Sequence, residues 1–202
     1  TPPEIILRDH PAVLVPIHGT PKLEKIKGTN LMRVINTPAL ILLDSGNQSY
    51  YMQIRKEWVT TTSLTGKWQQ AVTVPSAVAS YAAKETDYID IEKNAKGDTM
   101  PEVIVATKPA ELIVCRGTPQ FSPLGNSGLL YINNTDTDAF LDIATQRYYV
   151  LIAGRWFTSD NPTEGWAYIA STKLPKNFQE IPEDSVKGHV LASVAGTEQA
   201  KD

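Results

Sequence analysis

The sequence has little of several residue types on which common functions depend. It contains one cysteine, Cys115, and three histidines among 202 residues. One thiol cannot form an internal disulfide, and Cys115 lies in an apolar stretch, so we predict that it is a small buried residue. The net charge of -3 shows no excess of positive charge. Because a phosphate-binding protein normally carries a basic stripe, nucleic acid is not expected as a partner.

Long apolar runs are also missing. The run at residues 39–43 is far shorter than the roughly 20 residues that cross a bilayer, so we predict no membrane span in this chain. The composition, 42% apolar and 20% charged, is that of an ordinary globular protein. The chain starts at Thr1 without methionine, which is typical of a processed product or of part of a longer protein.

Familiar catalytic motifs are missing as well. No Gly-x-Ser-x-Gly, His-Glu-x-x-His or phosphate-binding loop occurs. His10 and His18 flank a predicted strand, but Lys108 and Arg116 stand 98 residues after them. Positions that exchange histidine for lysine or arginine indicate solvated basic sites, so we predict that the protein is not an enzyme and needs no cofactor.

What the sequence does contain is an internal repeat. Shifting it by 98 residues aligns its halves without a gap, so that Trp58 meets Trp156 and Trp68 meets Trp166. About a third of residues 1–68 are identical at this offset, far above chance. We therefore divide the chain into repeat one, residues 1–98, and repeat two, residues 99–202. The polar segment 92–98 is interpreted as the linker between them.

Both repeats predict the same strands. Tyrosine and branched residues at 50–54 and 148–152 fit a pleated surface, with turn residues such as Asp44 and Gly46 between neighbouring strands. Period-two alternation places Tyr50, Met52 and Ile54 on the predicted core face and Tyr51 on the other face. Further strands are predicted at residues 12–15, 31–35 and 40–43 and, in repeat two, at 111–115, 129–133 and 140–143.

Each repeat is predicted to end in a helical tail. Pro75 precedes good helix formers up to residue 84 in repeat one. In repeat two, residues 175–178 and 183–192 predict one or two short helices, the second weakened by Gly188. The fold class is therefore mainly β, or β-dominated α+β, with two tandem antiparallel meanders.

Acidic residues supply two weaker candidates. Asp136 and Asp138 offer oxygen ligands at alternate positions, but repeat one has no aspartate at either place and the calcium-loop pattern is incomplete, so an Asx-rich turn is preferred and no metal is predicted. Asp44 and Asp142 are the carboxylates available to a hydrolase, which we keep as a third alternative.

The second repeat resembles a known family. The segments Tyr148-Tyr149, Gly154-Arg155-Trp156-Phe157 and Gly165-Trp166, followed by Val194-Ala-Gly-Thr197, resemble bacterial envelope proteins known as carbohydrate-binding family V/XII. Repeat one departs from the pattern, with Glu57-Trp58-Val59 in place of Arg-Trp-Phe. The resemblance implies a periplasmic or secreted bacterial protein.

The recurring aromatic residues are the candidate ligand-binding set. Exposed rings can stack on the faces of sugars, so they predict a polysaccharide site in a non-catalytic module. Phe157 alternates with Trp156 along its strand, so at least one of the two is expected to face away from the core. The alternative is a structural or protein-interaction module, contacting an envelope protein, in which the rings form the core. The set comprises Tyr149, Trp156, Phe157 and Trp166 with Tyr51, Trp58 and Trp68.

Overall fold

The computed structural model describes residues 2–91 and 99–201, and these residues form a mainly β structure. The predicted linker at residues 92–98 lies outside the described residues. The strands of repeat one are β1 (Glu4–Arg8), β2 (Ala12–Pro16), β3 (Leu23–Lys25), β4 (Leu31–Val34), β5 (Leu42–Asp44), β6 (Ser49–Ile54), β7 (Glu57–Thr61) and β8 (Gln69–Gln70), followed by helix α1 (Ser76–Lys84).

The strands of repeat two follow in the same order. They are β9 (Glu102–Ala106), β10 (Ala110–Val114), β11 (Phe121–Pro123), β12 (Leu129–Ile132), β13 (Asp138–Asp142), β14 (Arg147–Ile152), β15 (Arg155–Ser159) and β16 (Ala167–Ile169). Short 3-10 helices form the tail, at Ser171–Lys173, Lys176–Glu180, Gly188–Ser193 and Gln199–Lys201. Helical tails are thus present after both repeats, although the second is made of 3-10 turns.

Two compact units form, and they differ from the sequence repeats by one strand each. The first unit is Pro11–Ala110, and the second unit is Thr1–His10 together with Glu111–Asp202. Strand β1 pairs with β10 in the second unit, and β9 pairs with β2 in the first. The division into residues 1–98 and 99–202 therefore describes sequence similarity, while the compact units exchange their first strands.

The centre of each unit is a six-stranded antiparallel sheet. The order is β3-β4-β5-β6-β7-β8 in the first unit and β11-β12-β13-β14-β15-β16 in the second. The registers correspond, since Tyr50 lies opposite Thr61 and Tyr148 opposite Ser159. The predicted tandem meanders are confirmed.

Both faces of the first unit's sheet are buried. One face packs Met52, Ile54 and Val59 against the strand pair β2 and β9. The other face packs Leu42 and Tyr51 against α1. Tyr51 is only 6% exposed, so the prediction of a single core face was incomplete. Helix α1 supplies the second cover, which period-two alternation within a strand cannot reveal.

The second unit repeats this arrangement with a different cover. Val150 and Phe157 pack against Ile5, Leu7 and Ile113 on one face. On the other face Phe140, Tyr149 and Trp156 pack against the tail. The tail contributes Leu174, Phe178, Ile181, Val190, Leu191 and Val194. A run of 3-10 turns therefore buries the second sheet face as α1 does in the first unit.

Helix α1 begins where the sequence predicted. Pro75 is the N-cap residue, and its ring fixes a backbone angle suited to helix entry. Val78 and Ala82 are the buried residues, one turn apart, so only a narrow stripe faces the sheet.

Polar residues shared by the repeats hold loops in place. The Asn36 side chain donates to the carbonyls of His18 and Thr20, and Asn134 donates to those of Arg116 and Thr118. The amide oxygens of both asparagines accept backbone N–H groups, at 2.9 Å in each unit. Asparagine occurs at both aligned positions because its side chain holds this loop.

The single thiol lies in the interior. Cys115 is 1% exposed, within the core of the second unit, which confirms the sequence prediction. Burial raises the pKa of the Cys115 thiol, so the thiolate form is disfavoured there. Within residues 2–91 and 99–201, no helix has the length and apolar character needed to cross a membrane.

Candidate functional site

The second unit places two of the predicted ligand-binding rings in an aromatic cluster. Trp156 is 1% exposed and Tyr149 is 4% exposed. Both rings pack against the Phe178 ring in T-shaped geometry, with centroids 5.3 and 5.0 Å away respectively. The Trp156 indole N–H donates to the Ser193 carbonyl at 2.8 Å. This tryptophan anchors the tail to the sheet.

The remaining two rings of this unit lie on the other sheet face. Phe157 is 1% exposed and packs in the core with Ile5 and Leu7. Trp166 is half-buried against the same core, and its indole N–H donates to the Pro162 carbonyl at 3.0 Å. Phe157 and Trp156 do face opposite ways, but each enters a core. The expectation that one of them leaves the core was wrong because both sheet faces are covered.

The first unit treats its aromatic residues in the same way. Tyr51 and Trp68 are buried, and Trp58 is half-buried beside α1. The Trp68 indole N–H donates to the Leu64 carbonyl at 3.0 Å, matching the bond of Trp166. The seven candidate residues therefore do not form the exposed ring platform on which the polysaccharide prediction depended. Their recurrence is explained by core packing and by anchoring of the neighbouring loops.

The carboxylates considered for hydrolysis are turn anchors. Asp44 accepts a hydrogen bond from the backbone N–H of Gly46 at 2.7 Å. Asp142 accepts from the Thr145 hydroxyl at 2.8 Å and from the Asn177 side chain at 3.1 Å. Each carboxylate is buried in its own unit and accepts hydrogen bonds from donors of that unit. The bond from Gly46 N–H to Asp44 is that of an Asx turn.

Asp136 and Asp138, the oxygen-ligand candidates, are separated by their contacts. Asp136 is exposed and pairs with Arg116 at 3.1 Å. Asp138 Oδ1 lies 2.9 Å from both Lys187 Nζ and His189 Nε2. Across the described part of the chain, no group of three or more histidine, cysteine or acidic side chains is arranged to hold a metal ion.

The outer edges of the two sheets differ. In the first unit Ile26 N donates to the Leu31 carbonyl and Ile35 N to the Lys22 carbonyl. The main-chain N–H and C=O groups of every second residue of β3 therefore point towards β4. The main-chain groups of Leu23 and Lys25 consequently point away from the sheet, at its edge.

The equivalent edge of the second unit offers one donor fewer. Strand β11 pairs with β12 in the same pattern, but Pro123 stands where β3 has Lys25. Proline has no N–H to offer a further strand, and it is a common way to protect a sheet edge. The first unit therefore keeps at β3 a donor that the second unit lacks.

A groove of about 840 Å³ lies beside β3, at the open edge of the first unit's sheet. Its lining includes Glu24, Ile26 and Ile35 from the region of β3 and β4, and Tyr88 and Ile89 from the segment after α1. Ile35 is 50% exposed and Ile89 is 61% exposed. Large exposed apolar side chains that share one concave surface indicate a contact site more strongly than isolated ones do.

A half-buried ion pair fixes the segment that follows α1. The Arg33 guanidinium donates to Glu85 Oε2 at 2.8 Å, to the Tyr81 hydroxyl at 3.3 Å and to the Asp87 carbonyl at 2.7 Å. Ile89 N also donates to the Pro38 carbonyl at 2.8 Å. These hydrogen bonds join two segments that line the groove, so its shape is set before a partner binds, which lowers the entropy cost of binding.

Hydrogen bonds to Glu85 shift its ionisation. The backbone N–H of Asp87, the Tyr81 hydroxyl and the backbone N–H of Thr86 stabilise the carboxylate, with a further contribution from Arg33. The pKa of Glu85 is lowered from 4.5 to about 2. Because the folded state favours the charged form, this contribution to stability is complete above pH 4.5 and is lost as the pH falls through about 2.

We expect Glu85→Gln to lower the melting temperature at pH 7, and the difference from wild type to vanish as the pH approaches 2. Thermal unfolding of both proteins between pH 2 and 7 measures this. Glu180→Gln, at an exposed site of the second unit, is the control and should change little. A Glu85→Gln difference that is the same at pH 2 and pH 7 would contradict the ionisation argument.

Comparisons with known proteins add no assignment. No family model matches the chain, and no curated protein or solved structure matches it. Function is therefore inferred from the residues and their contacts.

Sequence reasoning missed the groove because it followed the residues that the repeats share. Those residues build sheets, loops and cores in both units. The groove uses positions where the repeats differ, with Arg33 and Lys25 aligned to Tyr131 and Pro123. That contrast in the aligned repeats was the available signal.

Proposed function

We propose that this chain is a non-catalytic protein-interaction module whose first unit binds an extended segment of a partner protein along β3. The observation that carries the proposal is an open sheet edge beside a preformed groove with exposed isoleucines. A partner strand would pair with the outward main-chain groups of Leu23 and Lys25. Its alternate side chains would reach Ile35 and Ile89 in the groove.

The burial of the aromatic set supports this alternative over sugar binding. Trp156, Phe157 and Tyr149 are each less than 5% exposed and offer no face on which a pyranose could stack. The resemblance to bacterial envelope proteins suggests a periplasmic or secreted setting, with an envelope protein as the partner.

Peptide display on the intact chain tests the proposal, with Lys25→Pro as the decisive variant. This substitution removes the outward N–H of β3, and Pro123 at the aligned position of β11 shows that the strand accommodates proline. We expect selected peptides to bind Lys25→Pro at least tenfold more weakly than wild type. Lys25→Ala, which keeps the N–H, should bind within about twofold of wild type.

Two results would count against this function. One is equal binding to the Lys25→Pro and Lys25→Ala variants, and the other is the absence of any selected peptide. Retention on chitin, cellulose or peptidoglycan that is unaffected by Lys25→Pro would instead restore the polysaccharide hypothesis. The variants Ile35→Ser and Ile89→Ser report separately on the groove, and each should weaken binding without changing the melting temperature.

A further inference from the structure

Each compact unit is completed by a strand that belongs to the other sequence repeat. Strand β9 lies parallel to β2, with Ala12 opposite Glu102 and Pro16 opposite Ala106. Strand β1 pairs with β10. The first unit thus takes one strand from repeat two, and the second unit takes one from repeat one.

Loop length explains why repeat one cannot place its own first strand parallel to β2. Residues 9–11 separate β1 from β2, and residues 107–109 separate β9 from β10. Two parallel neighbours require a crossover of roughly a dozen residues or more, whereas a link this short suits antiparallel strands. A strand parallel to β2 must therefore come from elsewhere in the sequence.

The exchanged strands are chemically equivalent. Ile5 and Leu7 of β1 are 5% and 8% exposed, and Val103 and Val105 of β9 are 6% and 8% exposed. Both strands follow the same alternation of buried and more exposed residues. The first unit therefore buries two aliphatic side chains of repeat two, and the second unit buries two of repeat one.

We propose that this reciprocal strand exchange holds the two halves of the chain together even when they are not covalently linked. The strand beside β2 is β9, the first strand of repeat two, and the strand beside β10 is β1, the first strand of repeat one. A chain cut between residues 91 and 99 stays one assembly, because each half holds a strand on which the other depends. A repeat of this type is then a pairing unit, and the covalent link serves only to keep its mate at high local concentration.

The test uses the full chain with a protease site placed within residues 92–98 and cut after folding. We expect the cut protein to elute at the volume of the uncut chain in size exclusion and to separate only in denaturant. Two halves that elute apart as folded monomers would overturn the proposal.

Engineered cysteine pairs show whether the exchanged strands cause the association. Leu14 lies opposite Ile104 in the exchanged pairing, and a repeat that used its own strand would place Ile6 at that position instead. In the cut protein, Leu14→Cys with Ile104→Cys should form an oxidative cross-link that joins the halves. Leu14→Cys with Ile6→Cys is the matched control and should not cross-link. The reverse result would show that the halves associate without the exchange, and the proposal would fail.

Discussion

Replacing Phe178 by alanine should lower the free energy of unfolding by about 3–5 kcal/mol, as large aromatic truncations in a core do. Phe178 is 0% exposed. Its ring meets the rings of Phe140, Tyr149 and Trp156 at centroid distances of 5.0 to 5.8 Å. Removing it leaves a cavity between the sheet and the tail that the three remaining rings cannot fill.

Phe121→Ala is the matched control for this prediction. Phe121 is 37% exposed and its ring centroid lies 6.4 Å from that of Tyr148, so its loss should cost about 1 kcal/mol or less. Urea unfolding of both variants provides the comparison at the transition of the second unit, and an unchanged denaturant dependence of that transition is the check that it stays two-state. Equal costs for the two substitutions would show that the tail does not pack on the sheet as described.

Replacing Leu7 by aspartate should destabilise the second unit by about 3 kcal/mol or more, because it places an unpaired charge in an apolar core. Leu7 packs in that core with Ile113, Val150 and Phe157. The substitution lies in repeat one, yet its effect is expected in the unit built mostly from repeat two. Urea unfolding should show an early transition for that unit alone.

Val105→Asp is the reciprocal variant. Val105 stands 98 residues after Leu7, in β9, and packs in the core of the first unit with Val15 and Met52. We expect this substitution in repeat two to destabilise the first unit by a similar amount. Ile6→Thr, on the less buried side of β1, should have a small effect on either unit. If Leu7→Asp instead causes the first unit to unfold early, β1 packs in the first unit and not in the second.

The repeat made much of the fold predictable. Because two copies share the same strands and turns, each local pattern was read twice, as at residues 50–54 and 148–152. Helix α1 was also predicted, since Pro75 and the residues after it provide a clear start signal. Short strands such as β3 and β8 were missed because a few residues show too little alternation to be recognised.

The burial of both sheet faces could not be predicted from strand periodicity. Alternation separates Tyr51 from Met52 but does not say what covers either face. Trp156 and Phe157 were consequently considered for a surface role, while the tail and the exchanged strand bury them both. The exchange itself is a long-range feature, since β2 pairs with a strand about 90 residues away.

The groove was beyond prediction for a related reason. It forms where Arg33 in β4 reaches Glu85 after α1, 52 residues along the chain. Neither residue belongs to a recognised motif, and the ion pair exists only because α1 packs on the sheet. Lys25 acquires its significance only when β3 is seen to be an edge strand beside the groove.

Hydrogen exchange on the Leu7→Asp and Val105→Asp variants tests most directly how the chain is divided into units. Peptides from residues 129–159 report on the second unit, and peptides from residues 31–61 report on the first. We predict a crossed pattern, in which Leu7→Asp removes protection from residues 129–159 and Val105→Asp removes it from residues 31–61. If each substitution instead exposes the sheet of its own repeat, the strand exchange is wrong.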